Sequence, residues 1–417
     1  MITGSEVSMR PLLLLVATGM RSYREYLLRS ISSEFRVHLF HTVEPSWEKE
    51  YLSGWTVVPD TYDGPGMAAA AAELHAHSPF DGVLCWDEAR IHAASHIAEA
   101  LKLPNGDPAV IWRLRDKAQT RQALAAAGLP QPASIPVTTE QEAVLAAERI
   151  GYPVILKPRG FGASVGVIKV DDPAGLARGF AFTSAATLPD PIFYNSDEPY
   201  LVEEFVSGEE ISVDATVRGG VLTPLFVGRK QVGYPPYAEE IGHSVDAADP
   251  LLADEGFARL LSDIHAALGF TDGWTHSEFM LTAEGPKLIE VNGRLGGDLI
   301  PYLGRLATGI DPGLAAARVA CGLAPETTAQ RAVVTAIRFF YVTEDDTVIG
   351  SIAFDEQRLP AEIDRAVVVA QPGATVSPPP KGTVWGRIAY ATAVADSLDG
   401  CTRALDAAEA ALVVVPA

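Results

Sequence analysis

Residues 276–298, HSEFMLTAEGPKLIEVNGRLGGD, constrain this chain more than any other stretch. Two extended runs, 277–282 and 287–292, flank the turn residues Ala283-Glu284-Gly285-Pro286, and Gly293-Arg294 leads on to Gly296-Gly297. Runs joined by a short glycine-containing turn predict a β-hairpin. Three of its side chains, Glu278, Glu290 and Asn292, offer oxygen to a hard cation. Glu290 and Asn292 are two apart and share one face of a strand. A two-residue loop that pairs Glu278 with Val291 would turn Glu290 away. A three-residue loop over 283–285, with Gly285 left-handed, sets Glu278 opposite Glu290. The second is expected, because glycine suits a position that needs positive φ. Two carboxylates and an amide oxygen, without His or Cys, suit magnesium carrying nucleotide phosphates. The competing reading is a surface hairpin with solvated acids.

Charge narrows the partners. The 32 Lys and Arg against 53 Asp and Glu leave a formal net charge of −21. A nucleic acid or an anionic membrane needs a basic face, so neither is expected, whereas a nucleotide needs only a few local cations. At 417 residues the chain is long enough for two to four domains. Cys85, Cys321 and Cys401 lie far apart without metal or redox spacing, which fits a reducing compartment. The apolar run 11–17 is too short to span a bilayer, and a polar segment rather than a cleavage site follows it. It reads as a buried first strand. The residues before Arg10 read as a loose tail, with Met9 as an alternative start.

Strands and helices alternate over the first hundred residues, with strands expected at 11–17, 35–40, 55–58 and 82–86. That alternation predicts a doubly wound parallel sheet whose functional edge lies at the strand C-termini, near Thr18-Gly19 and Trp86-Asp87-Glu88. Trp86 and Glu88 are candidates to line a substrate site there; the alternative is a solvated strand end. Arg115-Asp116-Lys117 opens a helix that stops at Gly128. A strand at 154–157 ends on Lys157, and RGFGASVGVIKV follows it. Gly160, Gly162 and Gly166, with Ser164 among them, suit backbone N–H groups approaching phosphate, with the Lys157 ammonium alongside. This is not the Walker arrangement, which puts the lysine after the glycines. YLVEEFVSGEEISVD places acids on both sides of a bend, where adenine can lie against Phe205 while an acid accepts from ribose. Residues 228–243, with Arg229, Lys230 and His243, read as a long functional loop and a candidate lid. Asp298, after the glycine pair, is a candidate to hold a substrate ammonium or to cap a helix. The last ninety residues read as a small α+β module.

In order, these elements are Asp116-Lys117, Lys157 with its glycine loop, Glu203-Glu204 and Glu210, Glu278, and Glu290-x-Asn292-x-Arg294. The set resembles the ATP-grasp superfamily over about residues 10–330. Its RDK opening, EIGH segment and EVNGRLGGD ending are most similar to the carboxylate–amine ligases that join amino acids, the L-amino-acid ligases. The resemblance implies an α/β and α+β fold. Its parts would be an N-terminal parallel-sheet domain (1–112), a lid subdomain with the glycine loop (113–203), a large antiparallel subdomain with the metal site (204–330) and an appended α+β module (331–417). It also implies a cytoplasmic homodimer acting on small carboxylate and amine substrates, with ATP and Mg²⁺ (or Mn²⁺) as cofactors.

The roles it implies are specific. Lys117, Lys157 and the loop carrying Gly160, Gly162, Ser164 and Gly166 would hold phosphates. Glu203, with backbone of Glu204 and Val206 and the ring of Phe205, would hold adenine, and Glu210 the ribose. Glu278, Glu290 and Asn292 would hold the metal. Arg294 would face the γ-phosphate and acyl oxygen, and His243 the substrate. The expected chemistry is amide formation through an acyl phosphate, releasing ADP and phosphate. The alternatives are a non-amine acceptor, bicarbonate or thiol, or a nucleotide-binding module without catalysis. No biotin-attachment segment is present in the sequence.

Overall fold

The computed structural model describes residues 10–104, 106–187 and 198–417. The tail before Arg10 lies outside the described residues. Four parallel strands, β1 (Leu12–Val16), β2 (Arg36–His41), β3 (Gly54–Val57) and β4 (Gly82–Leu84), form the first sheet in the order β3-β2-β1-β4. The sequence of β1, Leu-Leu-Leu-Leu-Val, is buried at every position. Leu12, Leu14 and Val16 enter one core, packed with helix Ile91–Leu101, and Leu13 and Leu15 enter another, packed with helix Arg21–Glu34. A strand covered on both faces is apolar throughout, as a central parallel strand must be.

The second sheet is antiparallel and holds β5 (Ser134–Val137), β6 (Val154–Pro158), β7 (Ile168–Val170) and β8 (Tyr200–Glu204) in the order β5-β8-β6-β7. Helices Glu140–Ile150 and Pro173–Ser184 cover it through Ala143, Ala146, Ala147 and Leu176. The first of these begins with a capping box, in which the Thr139 side chain accepts from the Glu142 amide while the Glu142 carboxylate accepts from the Thr139 amide. The glycine loop joins β6 to β7.

The third sheet has eight antiparallel strands. Its members are β9 (Glu209–Arg218), β10 (Val221–Gly233), β11 (Glu239–Asp246), β12 (Gly273–Thr282), β13 (Gly285–Asn292) and β14 (Val334–Tyr341), with two strands from the C-terminal segment. That segment contains β15 (Thr347–Phe354), β16 (Ile363–Val368), β17 (Thr375–Val376), β18 (Arg387–Ala395) and β19 (Leu412–Pro416). The order is β13-β12-β9-β10-β11-β14-β18-β16. The C-terminal module is therefore continuous with the large sheet. Helix Leu398–Ala411 packs on it, and a small sheet β17-β15-β19 closes the far side. Among the described residues no helix is long and apolar enough to cross a membrane.

Two expectations are corrected. Residues 228–243 are not a loop lid: most of them lie in β10 and β11, which pair from Gly228–Val245 to Gly233–Glu239. Only the tip, around Tyr234 and Pro236, is free of the ladder, and it docks on the second sheet, where the Lys169 amide donates to Pro236 at 3.1 Å. The hairpin of β12 and β13 also turns differently from either loop considered. Thr282 pairs with Gly285, so the loop is Ala283-Glu284 and Gly285, with φ of +117°, opens the return strand. The residue inserted on the return side is Ile289, which bulges between the pairs Phe279–Leu288 and Glu278–Glu290. Glu278 still faces Glu290, but a bulge sets that register, not a longer turn.

Candidate active site

Arg121 secures the bulge. Its two terminal nitrogens donate to the carbonyls of Leu288 at 3.0 Å and Ile289 at 2.8 Å, while its Nε and Nη2 hold the Glu203 carboxylate at 2.9 and 3.2 Å. Glu278 and Glu290 thus stand on opposed positions of β12 and β13, each met by a different lysine. Lys230 Nζ lies 2.9 Å from Glu278, and Lys117 Nζ 3.2 Å from Glu290. Opposed hard-oxygen donors of this kind fit magnesium. Lys230, buried in the sheet, also meets Glu210 at 3.1 Å and Glu240 at 2.8 Å. Burial works against its charge, yet three carboxylates raise its pKa well above the ordinary lysine value. Burial raises the pKa of Glu210, against the pull of Lys230.

Behind Glu278 stands His276. Its Nδ1 lies 2.9 Å from Asp214 and its Nε2 3.4 Å from Glu278. Burial opposes a charge on the ring, but the two carboxylates outweigh it and raise the pKa to about 9. Asp214 also accepts from the Trp274 indole at 2.7 Å and the Gly296 amide at 3.1 Å. Gly296 is required there, since a Cβ would come within 2.8 Å of His276 Nδ1.

Each residue of the RDK opening has a separate partner. Asp116 caps helix Lys117–Ala126 and takes a bidentate contact from Arg159 at 2.7 Å on both sides. Lys117, first in that helix, also donates to the Phe161 carbonyl of the glycine loop at 2.6 Å. Arg115 donates to the Gly160 carbonyl at 3.3 Å and pairs with Glu88. Glu88 is a hub rather than a solvated strand end. Arg115 and Arg294 both bind it, and the Asn292 amide nitrogen, oriented to donate, lies 2.9 and 3.1 Å from its oxygens. Burial opposes its charge, but the two guanidinium groups hold its pKa at about 2. Arg294 is therefore locked on Glu88 and on the Leu295 carbonyl at 2.7 Å. Trp86 lines no cleft: it is 2% exposed, and its indole donates to the Thr18 carbonyl at 2.8 Å.

The glycine loop lies over this network, with Gly162 beside Glu88. Ala163 and Ser164 take φ of +55° and +54°, and Gly166 takes +76°, where a Cβ would come within 2.7 Å of Ala186 and 2.9 Å of Pro158. Lys157, at the end of β6, contacts Glu203 at 2.5 Å. Burial opposes the Glu203 charge, but Arg121 and Lys157 together hold that carboxyl at about 2. Its carboxylate is thus committed to cations. Glu204 faces outward to Lys287 at 2.7 Å, Val206 is buried, and the Lys169 ammonium lies over the Phe205 ring at 4.3 Å.

At the other end of the cleft, His243 Nε2 lies 3.3 Å from Glu240 and 3.5 Å from Asp298. Asp298 does not cap the helix that follows; Leu299 occupies the N-cap position, and Asp298 has φ of +48°. Its carboxylate is gripped by Arg387 at 2.6 and 2.8 Å. Burial opposes its charge, yet Arg387 holds its pKa well below the usual carboxylate range.

Sequence reasoning missed Arg115, Arg121, Arg159, Asp214, Glu240, His276 and Arg387 as site residues. Arg121 was within reach, because it follows Lys117 by four residues and shares its helix face. Arg387 carries no local signal; β18 and β14 bring it to the cleft.

A family model described as an ATP-grasp domain matches residues 150–301, the stretch that holds the glycine loop, the opposed glutamates and Arg294. Residues 150–301 are an ATP-grasp domain. An uncharacterized protein of Sinorhizobium fredii is 30% identical over 319 residues, covering 74% of this chain and 63% of that protein. A D-alanine–D-alanine ligase of Pseudomonas entomophila is 31% identical over 204 residues, 47% of this chain and 60% of the ligase. The chain thus spans less than two thirds of the curated relatives it matches. Among solved structures, the L-amino acid ligase from Bacillus licheniformis superposes with a TM-score of 0.79 at 20% identity, covering 97% of this chain and 98% of that one. Phosphoribosylglycinamide synthetase from Anaerococcus prevotii superposes at 0.72 and 17% identity, covering 97% and 99%. These two likenesses establish the ATP-grasp fold.

Proposed function

We propose that this ATP-grasp chain is an ATP-dependent carboxylate–amine ligase that joins amino acids through an acyl phosphate. The observation that carries the reading is the pairing of Glu278 with Glu290 across the hairpin, each capped by its own lysine. Lys117, Lys157 and Arg294 all rest on carboxylates that anionic phosphate can replace. Glu278, Glu290 and Asn292 would hold Mg²⁺, which neutralises phosphate charge when bound. The similarity to D-alanine–D-alanine ligases supports amino acids as both partners.

In this reading, a substrate carboxylate oxygen attacks the γ-phosphorus and ADP leaves. An amine then attacks the acyl carbon and phosphate leaves. Most of the barrier is charge repulsion, so the chain contributes position and cations. Lys117 and Lys157 orient the phosphates from the lid side. Arg294, once released from Glu88, faces the acyl oxygen and stabilises the tetrahedral oxyanion by about 3 kcal/mol, as other oxyanion donors do. Glu240, His243 and Asp298 form the acidic end of the cleft, suited to hold the incoming ammonium and to accept its proton. The glycine loop, already in contact with Arg115 and Lys117, shields the acyl phosphate from water.

The test is incubation of the purified protein with Mg·ATP and pools of amino acids, followed by mass spectrometry. ADP together with a product equal to two substrates minus water supports the reading. ADP without a condensed product moves the acceptor outside amino acids, and AMP with pyrophosphate overturns the acyl phosphate.

A further inference from the structure

The cations of the cleft are almost all neutralised. Arg115 and Arg294 rest on Glu88, Lys117 on Glu290, Lys157 and Arg121 on Glu203, Arg159 on Asp116, Lys230 on three glutamates and Arg387 on Asp298. Arg24 is different. It projects from helix Arg21–Glu34, and its one side-chain hydrogen bond among the described residues is a long contact of 3.4 Å to the Gly296 carbonyl. No carboxylate among the described residues pairs with it. Asp298 and Asp87, whose charges act on it, are already bound by Arg387 and Arg90. Burial lowers its pKa, and the neighbouring Arg294 adds to that effect. The guanidinium nonetheless stays charged, as arginine does in proteins.

A half-buried guanidinium with no carboxylate paired to it is suited to bind an anion. The space beside it is open: a Cβ placed on Gly297 would meet nothing within 4 Å. The acidic group around Asp298, the ammonium end of the cleft in the ligase reading, adjoins it. An amine-donating amino acid presents both charges, an ammonium and a carboxylate that the reaction leaves intact.

We propose that Arg24 anchors the carboxylate of the amine-donating amino acid. The assignment rests on the ligase reading and adds the substrate class: the acceptor is an amino acid with a free carboxylate rather than a simple amine. A charged hydrogen bond of this kind corresponds to at least about a tenfold change in affinity.

The test compares an acceptor amino acid with its carboxamide, using the pair that the mass screen yields, in wild type and in Arg24→Ala and Arg24→Lys. In wild type, the carboxamide raises the acceptor KM at least about tenfold. In Arg24→Ala, the KM of the amino acid rises by that factor, its preference over the carboxamide falls below about twofold, and the KM of ATP is unmoved. Arg24→Lys restores part of the preference. Unchanged thermal unfolding midpoints exclude a folding defect. A tenfold preference that survives in Arg24→Ala overturns the assignment and leaves the ligase reading standing. A wild-type enzyme that condenses no amino acids overturns the ligase reading, and this assignment with it.

Discussion

Arg387 holds Asp298 with both terminal guanidinium nitrogens, at 2.6 and 2.8 Å, across 89 positions of sequence. The pair joins the C-terminal module to the segment that follows the β12–β13 hairpin. The same guanidinium donates to the Glu240 carbonyl at 3.0 Å and to the Tyr341 hydroxyl at 3.2 Å. The module is therefore part of the cleft wall. Removing one partner of a buried pair leaves a charge without compensation. Arg387→Leu is expected to lower stability by about 3 kcal/mol. The double variant Arg387→Leu/Asp298→Leu is expected to regain part of that loss. Urea unfolding of the two single variants and the double one checks both statements.

Arg121 links the bulge to Glu203. Arg121→Met frees the Leu288 and Ile289 carbonyls and leaves Glu203 with Lys157 alone. It is expected to destabilise the protein by about 3 kcal/mol. It should also weaken Mn²⁺ binding about tenfold or more, because the bulge sets Glu290 opposite Glu278. Calorimetric titration with Mn·ATP reads the second effect, and unchanged affinity would separate the bulge from the metal site.

Glu290→Ala is expected to lower magnesium-dependent ADP formation by about a hundredfold or more, since a metal site of this kind supplies several kcal/mol of charge stabilisation. Lys117 loses its carboxylate but keeps the Phe161 carbonyl, and the thermal unfolding midpoint should move by only a few degrees. Retained ADP formation would remove Glu290 from the metal site.

Glu239 gives a pH signature. It is buried beside Arg387 and accepts from the Tyr341 hydroxyl at 3.2 Å. Burial raises its pKa to about 7, with Arg387 opposing and Asp298 and Glu240 reinforcing. A carboxyl raised above its unfolded value contributes stability that is fully present below about pH 4.5 and is lost as pH rises through 7. Wild type should therefore lose about 2 kcal/mol relative to Glu239→Gln between pH 4.5 and pH 8. Unfolding free energies that stay parallel across that range would contradict the assignment.

Much of this architecture was legible in the chain. The apolar run 11–17 read as a buried first strand, as β1 is, and Lys157 before three glycines announced the loop over the cleft. Alternation put Glu290 and Asn292 on one strand face, whereas Glu278 was set opposite Glu290 through a three-residue loop that the structure replaces with a bulge. What escaped depended on geometry between distant segments. The bulge at Ile289 has no glycine or proline to mark it, and its stabilising group, Arg121, lies on another element. Residues 228–243 looked irregular because Pro235, Pro236 and two tyrosines crowd the tip, while the flanking strands carry charged residues that face a polar cleft. Those strands lack the apolar alternation that would have identified them. Glu88 looked like an ordinary surface acid, because the two arginines that bind it come from positions 115 and 294.

The central claim is that ATP activates a carboxylate, and oxygen exchange tests it most directly. The acyl-donating amino acid is labelled with ¹⁸O in its carboxylate, the reaction is run with Mg·ATP, and the released phosphate is examined by mass spectrometry. Transfer of one ¹⁸O into phosphate, with ADP as the other product, is the predicted result. Unlabelled phosphate, or label recovered in AMP, would contradict the account.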